Sequence, residues 1–254
     1  MTKDTPTDPE PTRPIPGRIA YVLHVIHTFV AYARHFTATA QTRVEVPEFA
    51  TAARFFGTYD LPVILLRMKR GMLRALALER YLLKRAARGG NLRSFPGNSF
   101  TDLQPHHYPP PKPPGPKRAP LTHPRRKDPA LAGPDDPRAY YLPTEQELDA
   151  WVRRTPIGRS ITYICLDLGV APELCHGDLW MYLYNIVRYY RGSINNLYDV
   201  RAVREKTFER ERDRRPETWH IDWRDLSLPT VRKALGCLIG EIPPDAGLPV
   251  IVPS

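Results

Sequence analysis

The chain has 254 residues and a formal net charge of +10. Its hydrophobic content of 42% is enough to form two small cores. Three cysteines, an odd number with no short-spaced pair, argue against a disulfide framework and favour a reducing, cytoplasmic environment. The first 16 residues have no apolar run, and the longest apolar stretch, 19–33, is shorter than a membrane-spanning helix requires. We therefore expect neither a signal peptide nor a transmembrane segment.

After a disordered tail over 1–16, a basic helical hairpin is predicted over 17–90. Apolar residues recur every three or four positions from Ile19, which predicts a helix to about residue 42, and a short helix is expected over 47–57. A long third helix is predicted from Leu61 to Arg88 and ends at two glycines. The face of this helix expected to meet the core carries Leu61, Leu65, Met68, Met72, Leu76 and Leu83.

The middle of the chain, 91–142, is predicted to be a disordered, proline-rich linker. Twelve of the 29 prolines lie between Pro105 and Pro137, and no apolar period holds there. Proline lacks the backbone donor and fixes its own backbone angle, so a run of prolines suits neither a helix nor a central strand. We expect an extended polyproline II conformation.

A near-neutral multihelical unit is predicted over 143–240, followed by a tail over 241–254. Residues 143–254 carry 15 Lys/Arg and 16 Asp/Glu, whereas residues 17–90 carry 12 and 4, so the positive charge is concentrated in the N-terminal hairpin. Thr144 and Glu147 have the spacing of a capping box that begins the first helix. Together these patterns predict an all-α protein of two small units. The further C-terminal helices are expected over 156–169, 178–191, 193–214 and 228–240.

The sequence from Pro156 through Ile164 to Val170, followed by Leu174-Cys175 and Trp180, is similar to a family of uncharacterised bacterial proteins. Members of that family share a basic helical N-terminal half, a proline-rich middle and a helical C-terminal half, and they have no known activity. The resemblance implies a bacterial, cytoplasmic origin and two helical units, and it implies no catalytic residue.

The long helix of the hairpin carries a stripe of basic side chains. At 100° per residue its arginines fall within about 60° of one another, and guanidinium groups in such a row can bind phosphates. The same stripe could instead be a solvated face, lie on anionic lipid, contact an acidic protein, or pair with Asp or Glu of the C-terminal unit. The predicted polyanion-binding residues are Arg67, Arg70, Arg74, Lys84, Arg85 and Arg88.

A helix rich in aromatic residues is the candidate protein interface, because its rings occupy more than one face. The residues assigned to this interface are Trp180, Tyr184, Tyr189 and Tyr190.

Three other patterns favour structural roles. His24, His27 and His35 cannot converge on one metal ion, because His24 and His35 lie about 16 Å apart along a helix. Cys175-His176 is adjacent in sequence, and a buried cysteine explains it better than a nucleophile does. Residues 161–175 resemble a helix-turn-helix, yet a plain helix pair fits this stretch better, and whether it reads DNA stays open.

We therefore expect a non-enzymatic accessory or regulatory protein that needs no cofactor or metal and contacts nucleic acid through its basic helix face. The alternative is a peripheral membrane or protein-interaction adaptor that uses the same amphipathic helix. The aromatic C-terminal unit would then engage a protein partner or a second copy of the chain.

Overall fold

In the computed structural model the protein is all-α, as the hydrophobic periodicity predicts. The structure describes residues 15–42, 53–92, 129–131, 136–170, 175 and 178–213. Of these residues 80% are helical and none lies in a strand. The helices are α1 (Gly17–Thr42), α2 (Leu61–Ala87), α3 (Glu145–Arg154), α4 (Ile157–Asp167), α5 (Asp178–Tyr189) and α6 (Asn195–Asp213), with 3-10 turns at Pro129–Leu131 and Pro137–Tyr140.

Several predicted segments fall wholly or partly outside the described residues. They are the helix over 228–240, the tail over 241–254, most of the tail over 1–16, most of the linker, and residues 171–174 of the stretch that resembles a helix-turn-helix. Residues 53–56 of the predicted short helix are helical.

Local capping interactions fix where the central helices begin and end. The Asp60 carboxylate accepts a hydrogen bond from the backbone N–H of Val63 at the start of α2. At its end Gly89 has a φ of 72°, the left-handed region in which glycine is favoured, and its N–H donates to the carbonyl of Ala86. The predicted capping box of α3 is present, since the Thr144 and Glu147 side chains accept from each other's backbone N–H.

Helices α1 and α2 form an antiparallel hairpin. Near the start of α1, Arg18 Nη1 donates to the carbonyl of Leu92, which follows α2, at 3.1 Å. Further along α1, His27 Nε2 lies 2.7 Å from Glu79 Oε1 of α2. Phe29, Met68 and other apolar side chains fill the core between the two helices, so the hairpin rests mainly on apolar burial.

Helix α2 is enclosed on two sides, because α1 packs on one and α3 and α4 pack on the other. This arrangement differs from the single apolar face expected from the sequence: Leu83 is 39% exposed, whereas Arg67 and Arg70 are buried. Gly71 marks the close approach of α2 to the end of α4, since a Cβ there would lie 2.5 Å from Leu168 Cδ2. Among the described residues, apolar side chains of α1 and α2 and of the helices within 145–213 therefore contribute to one hydrophobic core.

The C-terminal end of the predicted linker is ordered, which corrects the expectation of disorder for residues 129–131 and 136–142. Ala130 and Ala139 in its two 3-10 turns are fully buried. Proline-rich backbone has carbonyl groups but few N–H donors, so its burial requires donors from elsewhere. Buried arginines provide them: Arg70 donates to the carbonyls of Pro129, Ala139 and Tyr141.

Candidate functional site

The predicted basic stripe is divided into two parts by the fold. Arg67, Arg70 and Arg74 are 1%, 0% and 5% exposed and point into the core between α2 and α4. Lys84, Arg85 and Arg88 lie nearer the C-terminal end of α2, where they line a surface groove. The predicted residues do share one face of α2. That face is not exposed to solvent along its whole length, because α3 and α4 cover the first half of the stripe.

Asp167 at the end of α4 is the internal anionic partner of two stripe residues. Arg70 donates to Asp167 Oδ1 from Nε at 2.9 Å and from Nη2 at 2.7 Å, and Arg74 Nη1 donates to Asp167 Oδ2 at 2.9 Å. All three side chains are buried. The Arg74 guanidinium also lies over the rings of Trp151 and Tyr163, at 5.0 and 5.6 Å from their centroids.

Arg67 and Arg204 complete what we call the buried arginine cluster, namely Arg67, Arg70, Arg74 and Arg204 around Asp167. Arg67 donates to the carbonyl of Phe56. Arg204 of α6 donates to the carbonyls of Phe55, Ala130 and Leu166, at 3.1, 2.9 and 2.7 Å respectively.

Within this cluster, burial and neighbouring charges disfavour the cationic form of two arginines. Burial and the nearby Arg70 lower the pKa of Arg67 to about 10. Burial, with Arg67 as the next cause, holds the pKa of Arg204 well below its ordinary value. The cluster joins α2, α4, α6 and the ordered end of the proline-rich segment, which is a structural role.

Sequence reasoning missed Asp167 and Arg204 as cluster members. Asp167 did leave a signal, because it is a lone acid in the apolar run 161–170. Arg204 left none, since it lies on a helix in which charges of both signs alternate.

The second half of the stripe borders a groove of about 530 Å³ between the C-terminal end of α2 and the helix α3, which we call the basic groove. Cationic side chains come from both helices, and one tyrosine and one carboxylate lie among them. Its lining residues are Arg80, Tyr81, Lys84, Arg85, Arg88, Gly90, Asp149, Val152 and Arg153.

The cations of the basic groove differ in how far they are already engaged. Arg80 Nη2 lies 3.1 Å from Glu145 Oε1, and Arg85 donates to the carbonyl of Asn91 from Nη2 at 2.8 Å. Within the described part of the chain, no ion pair joins Lys84, Arg88 or Arg153 to a carboxylate, and all three side chains are exposed. They can therefore accept an external anion without first breaking an internal pair.

The residues predicted as a protein interface are all partly buried. Trp180 and Tyr190 pack against the core, and Trp180 also makes an edge-to-face contact with Tyr198 of α6, with ring centroids 6.4 Å apart. Tyr184 and Tyr189 have intermediate exposure on the same helix. The core explains part of this aromatic surface, and the interface stays a prediction.

The candidate histidines His24 and His27 and the cysteine Cys165 make contacts that are typical of structural residues. His27 pairs with Glu79, and burial with the neighbouring His27 lowers the pKa of His24. Cys165 is buried in the core, which raises the pKa of its thiol. Across the described ranges, no three His, Cys, Asp or Glu residues are grouped to hold a metal ion. No helix among the described residues is both long and apolar enough to span a membrane.

Comparison of the chain with protein-family models, with curated proteins and with solved structures gives no match. The bacterial origin implied by the resemblance stays an expectation. The geometry and charge of the basic groove are therefore the basis for a functional assignment.

Proposed function

We propose that this protein is a non-enzymatic accessory or regulatory protein of the cytoplasm that binds single-stranded nucleic acid in the basic groove. The observation that carries the proposal is the convergence of five cationic side chains and Tyr81 on one concave surface. Arginine and lysine contact phosphates, and an aromatic ring in the same groove can stack on an unpaired base. A solvated face needs no such convergence from two helices.

Burial of the apolar side chains of α2 favours nucleic acid over a lipid surface. A helix that lies on a membrane inserts its apolar face into the headgroup region. In α2 the side chains of Ile64, Met68, Leu78 and Leu82 are fully buried in the protein core. Membrane binding by this helix would require the hairpin to open, whereas nucleic acid can bind the groove as it stands.

The test compares two double variants that remove the same charge. In R88Q/R153Q two exposed cations of the groove are lost; in the control R34Q/K69Q two exposed cations that do not line it are lost. Affinity is measured by fluorescence anisotropy with a labelled single-stranded RNA of about 12 nucleotides, within the range of known site sizes. We expect the groove variant to bind about tenfold more weakly and the control to resemble the unmodified protein.

Two results would overturn the proposal. One is equal weakening by the two double variants, which would mean that net charge alone attracts the RNA. The other is no binding of RNA by the unmodified protein at low salt together with sedimentation on anionic vesicles, which would favour the membrane adaptor.

A further inference from the structure

Asp149 is a carboxylate in a groove that otherwise attracts anions. It lies on α3, and its side chain is 39% exposed. A negative charge beside Lys84, Arg88 and Arg153 weakens phosphate binding, so its presence in a phosphate site calls for a separate role.

An ion pair with Arg80 accounts for only part of the bonding capacity of Asp149. Arg80 Nη2 is 3.1 Å from Glu145 Oε1 but 3.8 Å from Asp149 Oδ1, which is beyond hydrogen-bond distance. Glu145 is therefore the closer partner of Arg80. An ionised carboxylate has two oxygens with about four acceptor sites, so Asp149 can receive further N–H donors from a ligand in the groove.

Guanine is the nucleobase that fits a carboxylate acceptor best. Its Watson–Crick edge presents two adjacent donors, N1–H and the N2 amino group, which match the two carboxylate oxygens. Adenine and cytosine place an acceptor nitrogen beside their amino group, and uracil places its single N–H donor between two carbonyls. Unpaired bases in RNA are commonly recognised through this edge and by stacking on an aromatic ring.

We propose that Asp149 determines base specificity in the basic groove and selects guanine in single-stranded nucleic acid. The inference rests on the proposed function, since Arg88 and Arg153 would hold the flanking phosphates while Tyr81 stacks on the base. Asp149 lowers affinity for every other base by repulsion and raises it for guanine by two charge-assisted hydrogen bonds.

The experiment uses the full chain and three labelled oligouridines that carry one central guanine, adenine or inosine, with affinity read from fluorescence anisotropy. The guanine oligomer should bind about tenfold more tightly than the adenine oligomer, with inosine between them because it lacks the N2 amino group. D149A should weaken binding of the guanine oligomer and tighten binding of the adenine oligomer. These opposite signs cannot arise from a change in net charge alone.

The matched control is E145A, which also removes a carboxylate from beside Arg80 but leaves Asp149 in place. It should tighten binding of all three oligomers alike and keep the preference for guanine, and circular dichroism of both variants should match that of the unmodified protein. Equal tightening of the guanine and adenine oligomers by D149A would overturn the base recognition while the proposed function stands. Failure of the unmodified protein to bind any oligomer at low salt would overturn both.

Discussion

Asp167 illustrates how one residue can decide the role of several others. Its two oxygens accept three hydrogen bonds from Arg70 and Arg74, and none of the three side chains is accessible to solvent beyond a few per cent. A buried ion pair contributes little net stability, but removing one partner leaves an uncompensated charge in the core. The same substitution at a solvent-exposed acid has almost no cost.

D167N should therefore destabilise the protein strongly. Asparagine keeps the size and one acceptor of the carboxylate but leaves Arg70 and Arg74 without a counter-charge, and we expect a loss of about 3–5 kcal/mol in the free energy of unfolding. The measurement is urea denaturation followed by circular dichroism. D199N, which changes an exposed acid of α6, is the control. A loss for D167N as small as that for the control would show that Asp167 does not stabilise the cluster.

At the scale of elements, the contact of α4 with the end of α5 depends on a close backbone approach. The N–H of Gly158 donates to the carbonyl of Tyr190 at 2.9 Å. A Cβ added at Gly158 would lie 2.4 Å from the carbonyl oxygen of Val187 and 2.6 Å from the backbone nitrogen of Gly192. These neighbours are backbone atoms, so they cannot move away as the end of a flexible side chain can.

G158A should force these two helices apart and destabilise the fold by about 1–3 kcal/mol or more, the usual cost of overpacking. Thermal denaturation measures the effect as a lower melting temperature. G17A is the matched control, because nothing lies within 4 Å of a Cβ at Gly17. A melting temperature for G158A equal to that of G17A would contradict the close packing of α4 on α5.

The helices follow closely from sequence patterns, but the residues that pack against each helix do not. The periodicity from Ile19 and the Thr144–Glu147 capping box correctly predict α1 and the start of α3, because both are local interactions. The burial of Arg70 depends on Asp167, which lies 97 positions away. Helical spacing shows which side chains share a face but not what covers that face. The sequence therefore predicts a binding role at the surface for three arginines that are buried, Arg67, Arg70 and Arg74.

At the scale of the whole molecule, the two halves of the chain meet through α2. Its first half contributes arginines to the buried cluster, and its last turns contribute cations to the basic groove that α3 completes. The groove therefore exists only when the hairpin and the C-terminal helices are packed together. The proposed binding site thus depends on a folded core, although the stripe residues that lie in the core are not those that line the groove.

If the exposed cations of the basic groove contact phosphates as proposed, RNA binding should depend on salt concentration in a way that counts those contacts. Each phosphate contact releases about one counterion, so the logarithm of the binding constant falls linearly with the logarithm of the salt concentration. R88Q/R153Q should reduce the magnitude of that slope by about 1–2, while R34Q/K69Q leaves it unchanged. A slope for R88Q/R153Q equal to that of the unmodified protein would show that Arg88 and Arg153 contact no phosphate.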